Sequence, residues 1–415
     1  MRNYLTLALK VLTRRKFFTF ISLFGVSVTL LVLMVFTAIA DNVFSPRAPE
    51  SRFDRVLCAY AVGWYGDGGT SHSGWPSYAF LDKYVRTLPG AEKVAVFTTP
   101  EGTAIYKDGR RTDAILRTTD GEYWRILDFR FLEGRALTNA DDTQGAYVAV
   151  ITDKLREQLF GGKVKAEGQT ISIDGRPFRV VGVVKRVPAM RLAGYADVWV
   201  PLRTLAPSGF ETEMLNGHYQ GIVLAKSRAD FPRLRREFAT RIAAIKPIDP
   251  RFTTVKSSLD TTFQFFARMF APGNQYDPNR VLFTASFFSI LALLFMALPA
   301  LNLVIIGLSR ILERSSEIGV RKAFGAPRGA LIRQFVLENL VLTFLGALIG
   351  FVLSGIVLAI LNGTVPIVNG GLDLNVRIFF YAMLIAAFFG VVSGLYPAWR
   401  MSRLHPVAAL RGGVL

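Results

Sequence analysis

The chain has 415 residues, 51% of them hydrophobic, with a mean hydropathy of +0.34 and a formal net charge of +18. That apolar content excludes an ordinary soluble protein, and a single cysteine, Cys58, excludes an intrachain disulfide. The apolar residues lie in four runs, 17–40, 281–308, 335–361 and 378–398, each at or beyond the roughly 20 residues that cross about 30 Å of hydrocarbon as a helix. The expected fold class is an α-helical membrane protein with four transmembrane helices. A large α+β extracytoplasmic domain of two subdomains is inserted between helices 1 and 2.

In chain order, residues 1–16 read as a cytoplasmic interfacial helix with Tyr4, Leu5, Leu7, Ala8, Val11 and Leu12 on one side. The run 17–40 follows Arg14, Arg15 and Lys16. Ala38-Ile39-Ala40 has the look of a signal-peptidase site, but the run is longer than a signal-peptide core, so the segment is expected to stay as an anchor. In this first run Gly25 has Ser22 three positions before it and Thr29 four after, a small-residue pattern suited to a close helix seam.

Residues 41–280 form the external domain. RVLCAYAV from Arg55 alternates as a strand, GWYGDGGTSHSGW reads as a Gly-rich turn, and Pro76 and Ser77 open a helix from Tyr78 to Thr87. EKVAVFTT returns as a strand, and HYQGIVLAK with the helix Phe231 to Ala244 completes a subdomain split over about 50–102 and 206–270. Between them, about 103–205 is strand-rich: TDAILRTT, AYVAVIT, QTISIDG, FRVVGVVKRV and ADVWVPL.

The run 281–308 contains Pro299 and Asn302. The loop 309–334 is short, basic and written as two helices with a hinge. Ser315 or Ser316 caps a first turn that ends near Phe324, Gly325 stops it, and Pro327 opens the next helix. In run 335–361, Gly346 and Gly350 are spaced for close helix packing, either within the chain or across a dimer seam. The external loop 362–377 has Arg377 as its only basic residue, whereas Lys and Arg crowd 1–16, 309–334 and the tail 399–415. That asymmetry puts both termini in the cytoplasm and 41–280 outside. The external domain itself holds 34 basic and 27 acidic residues, a surplus of seven. The headline charge is therefore an orientation signal more than a nucleic-acid footprint, and no nucleic-acid partner is expected.

Catalytic motifs are missing from the sequence. There is no phosphate loop with its Gly-Lys-Ser/Thr, no His-Glu-x-x-His and no Gly-x-Ser-x-Gly. Three histidines, His72, His218 and His405, and one cysteine cannot make an ordinary zinc site. His72 reads as a loop residue and Asp141-Asp142 as a solvated turn. The only acidic residue in the apolar runs, Glu338, sits near one end of its run, which argues against a proton-driven carrier.

Three stretches carry a family resemblance. ERSSEIGVRKAFGAPRGALIRQFVLENL from Glu313 resembles the cytoplasmic loop of MacB/FtsX-type (type VII, mechanotransmission) ABC transporter permeases. SGLYPAWRMSRLHPVAALR from Ser393 is similar to their closing motif. YWRILDFRFLEGRALT, with VAVIT, LFGG, ISIDGRPFRVVGVV and ADVWVPL, is similar to the MacB-like periplasmic core domain. Met401, where small residues are common, and Ala408-Ala409, where an acidic residue often precedes the last Leu-Arg, depart from the pattern.

The resemblance implies a permease subunit in the bacterial cytoplasmic (inner) membrane that has no catalytic residue, cofactor or metal of its own. A separate ABC ATPase subunit in two copies would hold the ATP and Mg, and a second permease copy or paralogue would complete the complex. The 309–334 loop becomes a coupling helix that docks on the ATPase through Glu313, Ser316, Glu317, Ile318, Val320, Arg321, Lys322, Ala323 and Phe324, with Gly325 and Pro327 as its hinge. Ile318 and Phe324 would be the apolar contacts, and Glu317, Arg321 and Lys322 the charges that set register. A periplasmic adaptor and an outer-membrane duct are expected further partners in a Gram-negative cell. The expected function is ATP-driven export of a peptide, antibiotic or other amphiphile from the periplasmic side. The alternatives are an FtsX-like mechanotransmitter that regulates a cell-envelope hydrolase, or a lipoprotein-release permease.

Overall fold

In the computed structural model, the described residues are 16–67, 70–161, 164–206, 210–211, 215–247, 249–270, 276, 279–294, 297, 328–364 and parts of 372–395. The chain divides into two units: Met1–Asp41 with Ser286–Val365 and Leu372–Leu415, and Asn42–Ala285 with Pro366–Gly371.

The first element, α1, is Lys16–Phe44. Its apolar stretch is long enough to cross a bilayer, where a helix that closes every backbone bond internally is the stable form. Its hydroxyls follow the same rule: Thr29 Oγ1 donates to the Gly25 carbonyl at 2.9 Å and Thr37 Oγ1 to Leu33 at 2.8 Å.

The second unit, which holds the segment expected to be external, begins with β1 (Val56–Ala59), β2 (Val62–Tyr65) and β3 (Ser71–Pro76). The Gly-rich segment expected as a turn is a hairpin: β2 and β3 pair antiparallel from Val62↔Gly74 to Tyr65↔Ser71. His72 lies on β3, paired with Trp64, and is a strand residue, not a loop residue. Next come α2 (Tyr78–Phe80, extended by a π-helical turn Leu81–Arg86), β4 (Ala91–Thr98), β5 (Glu101–Lys107) and β6 (Arg110–Thr119). Ser77 caps α2 by accepting the Phe80 N–H at 3.0 Å.

The chain continues through α3 (Gly121–Ile126), β7 (Phe131–Gly134), α4 (Asn139–Thr143), β8 (Val148–Thr152) and α5 (Asp153–Phe160). It then forms β9 (Thr170–Ile173), β10 (Arg176–Val184), β11 (Val198–Pro201), β12 (Asn216–Gly217) and β13 (Tyr219–Ala225). The unit ends with α6 (Phe231–Ala243), β14 (Thr254–Ser257) and α7 (Thr262–Phe270). The helix α8 (Asn279–Leu294) follows. Beyond it are α9 (Arg328–Thr364) and α10 (Val376–Phe388). Among the described residues, α1 and α9 are the two helices long and apolar enough to cross a bilayer.

Ten strands make one sheet, in the order β1-β13-β4-β6-β11-β8-β10-β9-β5, with β7 on β10. The strand β5 pairs with both β6 and β9, so six strands drawn from 101–201 close into a ring. Its interior is apolar: Ile105, Leu116, Ile151, Ile173, Phe178 and Val200 pack together. Every residue of β8 is buried, as befits a strand with parallel β10 on one side and antiparallel β11 on the other. The wing β1-β13-β4 leaves this ring through one residue pair, Phe97↔Thr119. It packs α2 and α6 on one face through Leu81, Val85, Leu234 and Phe238. A four-stranded sheet, β12-β3-β2-β14, completes the unit.

Asp141 is not solvated as expected. It is buried, caps α4 in a capping box with Thr138, and takes a bidentate Arg135 at 2.7 and 3.0 Å. Those donors pull its pKa down to about 2.

Candidate functional site

Among the described residues two closely packed places stand out from the rest of the structure, one between two apolar helices and one on the chain that follows α1.

The first is a seam between α1 and α9. A side chain added at Gly346 would meet Val26 at 2.7 and 2.8 Å, and one added at Gly350 would meet the Ser27 carbonyl oxygen at 2.8 Å and Leu30 at 3.1 Å. Ser27 Oγ donates to the Gly346 carbonyl at 3.0 Å. Val26, Leu30 and Ala347 are buried at the contact. The two glycines therefore let the helix backbones approach more closely than any side chain would allow. Ser22 is buried and Gly25 is half-buried on the same helix, and the Thr29 hydroxyl is occupied by its own turn.

The second is a clamp on the chain just past α1. Glu50 is buried, with Oε1 accepting the N–H groups of Ala193 and Gly194 at 3.0 Å and Oε2 lying 3.5 Å from Arg191 Nη1. The same Arg191 nitrogen donates to the Ser45 carbonyl at 2.7 Å. Pro49 offers its carbonyl to the Asp128 N–H at 2.7 Å, and Arg52 donates to the Arg125 carbonyl at 3.0 Å. From the other side, Arg117 of β6 is fully buried. It donates to the Leu192 carbonyl at 3.0 Å and to that of Ala193, and its guanidinium lies 4.9 Å from the Phe97 ring centre. The Tyr123 hydroxyl also donates to the Ala193 carbonyl, at 2.8 Å. The 191–194 turn is thus gripped on its N–H and C=O groups alike. Burial pushes the Glu50 carboxyl up from its ordinary pKa, while Arg191 and the two N–H groups hold it down.

Aromatic packing adds to this grip. Phe44, the last residue of α1, sits edge-on to Phe263 and Phe266 of α7, with centroids 5.5 and 5.8 Å apart. The helix α7 is fixed in turn by Arg268 on Asp260 at 3.0 Å and by the Asp260–Cys58 backbone bridge. Burial pushes the Cys58 thiol up to about 12, so it packs as an inert small apolar group. Thr284 of α8 donates to the Ala267 carbonyl at 3.0 Å.

Of the residues singled out from sequence, Gly346 and Gly350 come together with α1. Glu313, Ser316, Glu317, Ile318, Val320, Arg321, Lys322, Ala323, Phe324, Gly325 and Pro327 lie outside the described residues. The clamp was not foreseen. One signal was available: Arg117 stands in the apolar half of strand AILRTT, where a charge must find buried partners. Among the described residues there is no His/Cys/Asp/Glu cluster able to hold a metal.

Comparison with known proteins shows the family of the chain. The model of the MacB-like periplasmic core domain matches residues 19–241, more than half of the chain, and that of the FtsX-like permease C-terminal region matches 289–406. The uncharacterised ABC transporter permease YknZ of Bacillus subtilis (strain 168) is 25% identical over 344 residues, 80% of this chain and 79% of that one. The pyoverdine export ATP-binding/permease protein PvdT of Pseudomonas syringae pv. tomato is 29% identical over 291 residues. The macrolide export ATP-binding/permease protein MacB of Pasteurella multocida is 24% identical over 303 residues. The chain spans 42% and 43% of the length of these last two. The extracellular domain of the YknZ transporter, solved as a crystal structure, overlaps 48% of this chain and 98% of its own at 18% identity and a TM-score of 0.33. The chain belongs to the MacB/FtsX-type family of ABC transporter permeases.

Proposed function

We propose that the chain crosses the cytoplasmic membrane four times, at 17–40, 281–308, 335–361 and 378–398, with both termini and 309–334 in the cytoplasm. It converts ATP hydrolysis into motion of its external domain. Membership of an ABC permease family implies an ATPase partner. The finer reading is two copies of a separate ATPase subunit per pair of permeases, the second permease being a copy or a paralogue. The partner holds ATP and Mg. Glu317, Ile318, Val320, Arg321, Ala323 and Phe324 dock on it, with Gly325 and Pro327 as the hinge.

One observation carries the mechanical part. The helix α1 runs unbroken from Lys16 to Phe44, and the six residues after it are held by Arg191, Ala193, Gly194 and Asp128. A helix that ends in a gripped linker passes its displacement on, whereas a slack linker would absorb it. The names of the MacB and PvdT relatives favour export, and an amphiphile taken from the external side is the cargo class that fits. A periplasmic adaptor and an outer-membrane duct complete the path in a Gram-negative host.

The test is co-expression with the candidate ATPase, purification through the permease, weighing of the complex and assay of ATP hydrolysis. Wild type should bring down two ATPases per two permeases. A Phe324→Asp, Arg321→Glu variant should lose them while its external domain still melts as wild type. Retention of the ATPase by the variant would overturn the docking site, and absence of any ATPase would overturn the coupling reading.

A further inference from the structure

The external unit has a cavity of about 380 Å³ whose walls divide sharply in character. Its floor is Pro49, Phe129 and Val187, all buried. Its rim is Arg130, Lys185 and Arg186, all exposed. A backbone bond from the Lys185 N–H to the Arg130 carbonyl at 3.0 Å fixes the two rim segments side by side.

The nearby acids are hydrogen-bonded to groups other than the three rim side chains, although Asp153 bonds the backbone of Arg186. Asp128 accepts the Ser51 hydroxyl at 3.4 Å, and Asp153 accepts the backbone N–H groups of Lys154 and Arg186 at 2.9 Å. Glu50 is turned inward to Arg191. Glu133 pairs with Arg156 at 2.8 Å. Among the described residues no carboxylate pairs with the side chain of Arg130, Lys185 or Arg186. Three cations around one opening attract an anion, and guanidinium groups match the oxygens of a phosphate or sulfonate. An apolar floor gives a bare anion nothing, but it does reward a hydrocarbon segment.

We propose that this cavity binds the anionic headgroup and first methylenes of an amphiphile, with Arg130, Lys185 and Arg186 on the head and Phe129, Val187 and Pro49 against the chain. Pro49 belongs to the gripped linker, so an occupant touches the segment through which α1 acts on the external domain. Binding stands apart from the ATPase reading; only the role of the occupant as cargo rests on the export function. The headgroup chemistry is shared by a membrane phospholipid and a free amphiphile.

The test uses the full-length chain in phosphatidylcholine nanodiscs, with hexyl phosphate, hexanol and inorganic phosphate as probes in calorimetric titrations. Hexyl phosphate should bind at least about tenfold more tightly than either fragment alone, and weaken as salt rises. Arg130→Ala, Lys185→Ala, Arg186→Ala together should weaken it by at least about tenfold with an unchanged melting curve, and Arg130→Ala alone should give part of that loss. Equal binding by wild type and the triple variant would overturn the site. Inorganic phosphate binding as well as hexyl phosphate would overturn the amphiphile. Repeating the titration with phosphatidylglycerol in the disc assigns the source. Competition identifies a lipid headgroup and its absence a soluble amphiphile, and either supports the site. No ATPase is present, so failure here leaves the coupling reading standing, and the reverse holds too.

Discussion

The seam between α1 and α9 is built from two glycines, the aliphatic side chains of Val26, Leu30 and Ala347, and one serine, whereas the clamp after α1 is built from a buried carboxylate and two buried arginines. Their solvents explain the contrast. In hydrocarbon no hydrophobic force drives helices together, so contact depends on backbones coming close. A charged tie there would be expensive. In the external unit the ring and wing already supply apolar burial, and a buried ion pair adds fixed geometry more than net stability. The seam therefore rests on close backbone packing and a single hydroxyl. The clamp breaks only at high cost, the property that the proposed transmission of motion requires.

The largest way to break this contrast is at Glu50. Glu50→Ala leaves Arg191 buried without its carboxylate and the Ala193 and Gly194 N–H groups without an acceptor. We expect a loss of about 3–5 kcal/mol in urea unfolding of the full chain in detergent. Four of the five tryptophans, Trp64, Trp75, Trp124 and Trp199, lie in the external unit, and in a Trp399→Phe background their fluorescence reports its unfolding. Glu50→Gln keeps an acceptor for the two N–H groups but turns an amide NH2 toward Arg191 and leaves that charge unpaired, so it should cost less than Glu50→Ala but still about 2–3 kcal/mol. A Glu50→Ala chain within about 0.5 kcal/mol of wild type would remove the clamp from the argument.

The middle test is Gly350→Val. Its first added carbon would stand 2.8 Å from the Ser27 carbonyl oxygen, a backbone atom that can retreat only if α1 moves. Overpacking of this kind costs about 1–3 kcal/mol. The loss should appear in the helical far-ultraviolet signal on titration with sodium dodecyl sulfate and leave the tryptophan transition unmoved. A shift in both signals would mean that seam and clamp are one cooperative unit.

How far sequence reached follows the same division. The Gly346–Gly350 spacing is local, and so it could be read directly. The buried strand VAVIT (148–152), the strand EKVAVFTT and the helix from Phe231 were equally plain, because period and apolar runs are local properties. The β2–β3 hairpin was hidden because GWYGDGGTSHSGW is rich in glycine and its β3 half is mostly exposed, so it lacks both strand composition and alternation. The ring closure of β5 on β9 and the meeting of Glu50, Arg117 and Arg191 are set by long-range register, which no local pattern encodes. A charge inside AILRTT shows that a buried partner exists without saying where in the chain it lies.

The smallest expected effect lies at Ser27, and it tests whether the seam is as weak as its composition implies. Its hydroxyl donates to the Gly346 carbonyl across the two helices at 3.0 Å. With the helices apart, that hydroxyl is not stranded, because a helical serine or threonine can turn to the carbonyl one turn back. Thr29 does so onto Gly25 and Thr37 onto Leu33 in this same helix. The bond across the seam thus replaces one available within α1. Ser27→Ala should cost only about 0.6 kcal/mol, close to the average for hydrogen bonds between membrane helices. The readout is the dodecyl sulfate midpoint of the helical signal, compared with Gly350→Val in the same micelles. A loss of about 2 kcal/mol or more would make the hydroxyl a principal tie, and the seam would then be a second fixed joint.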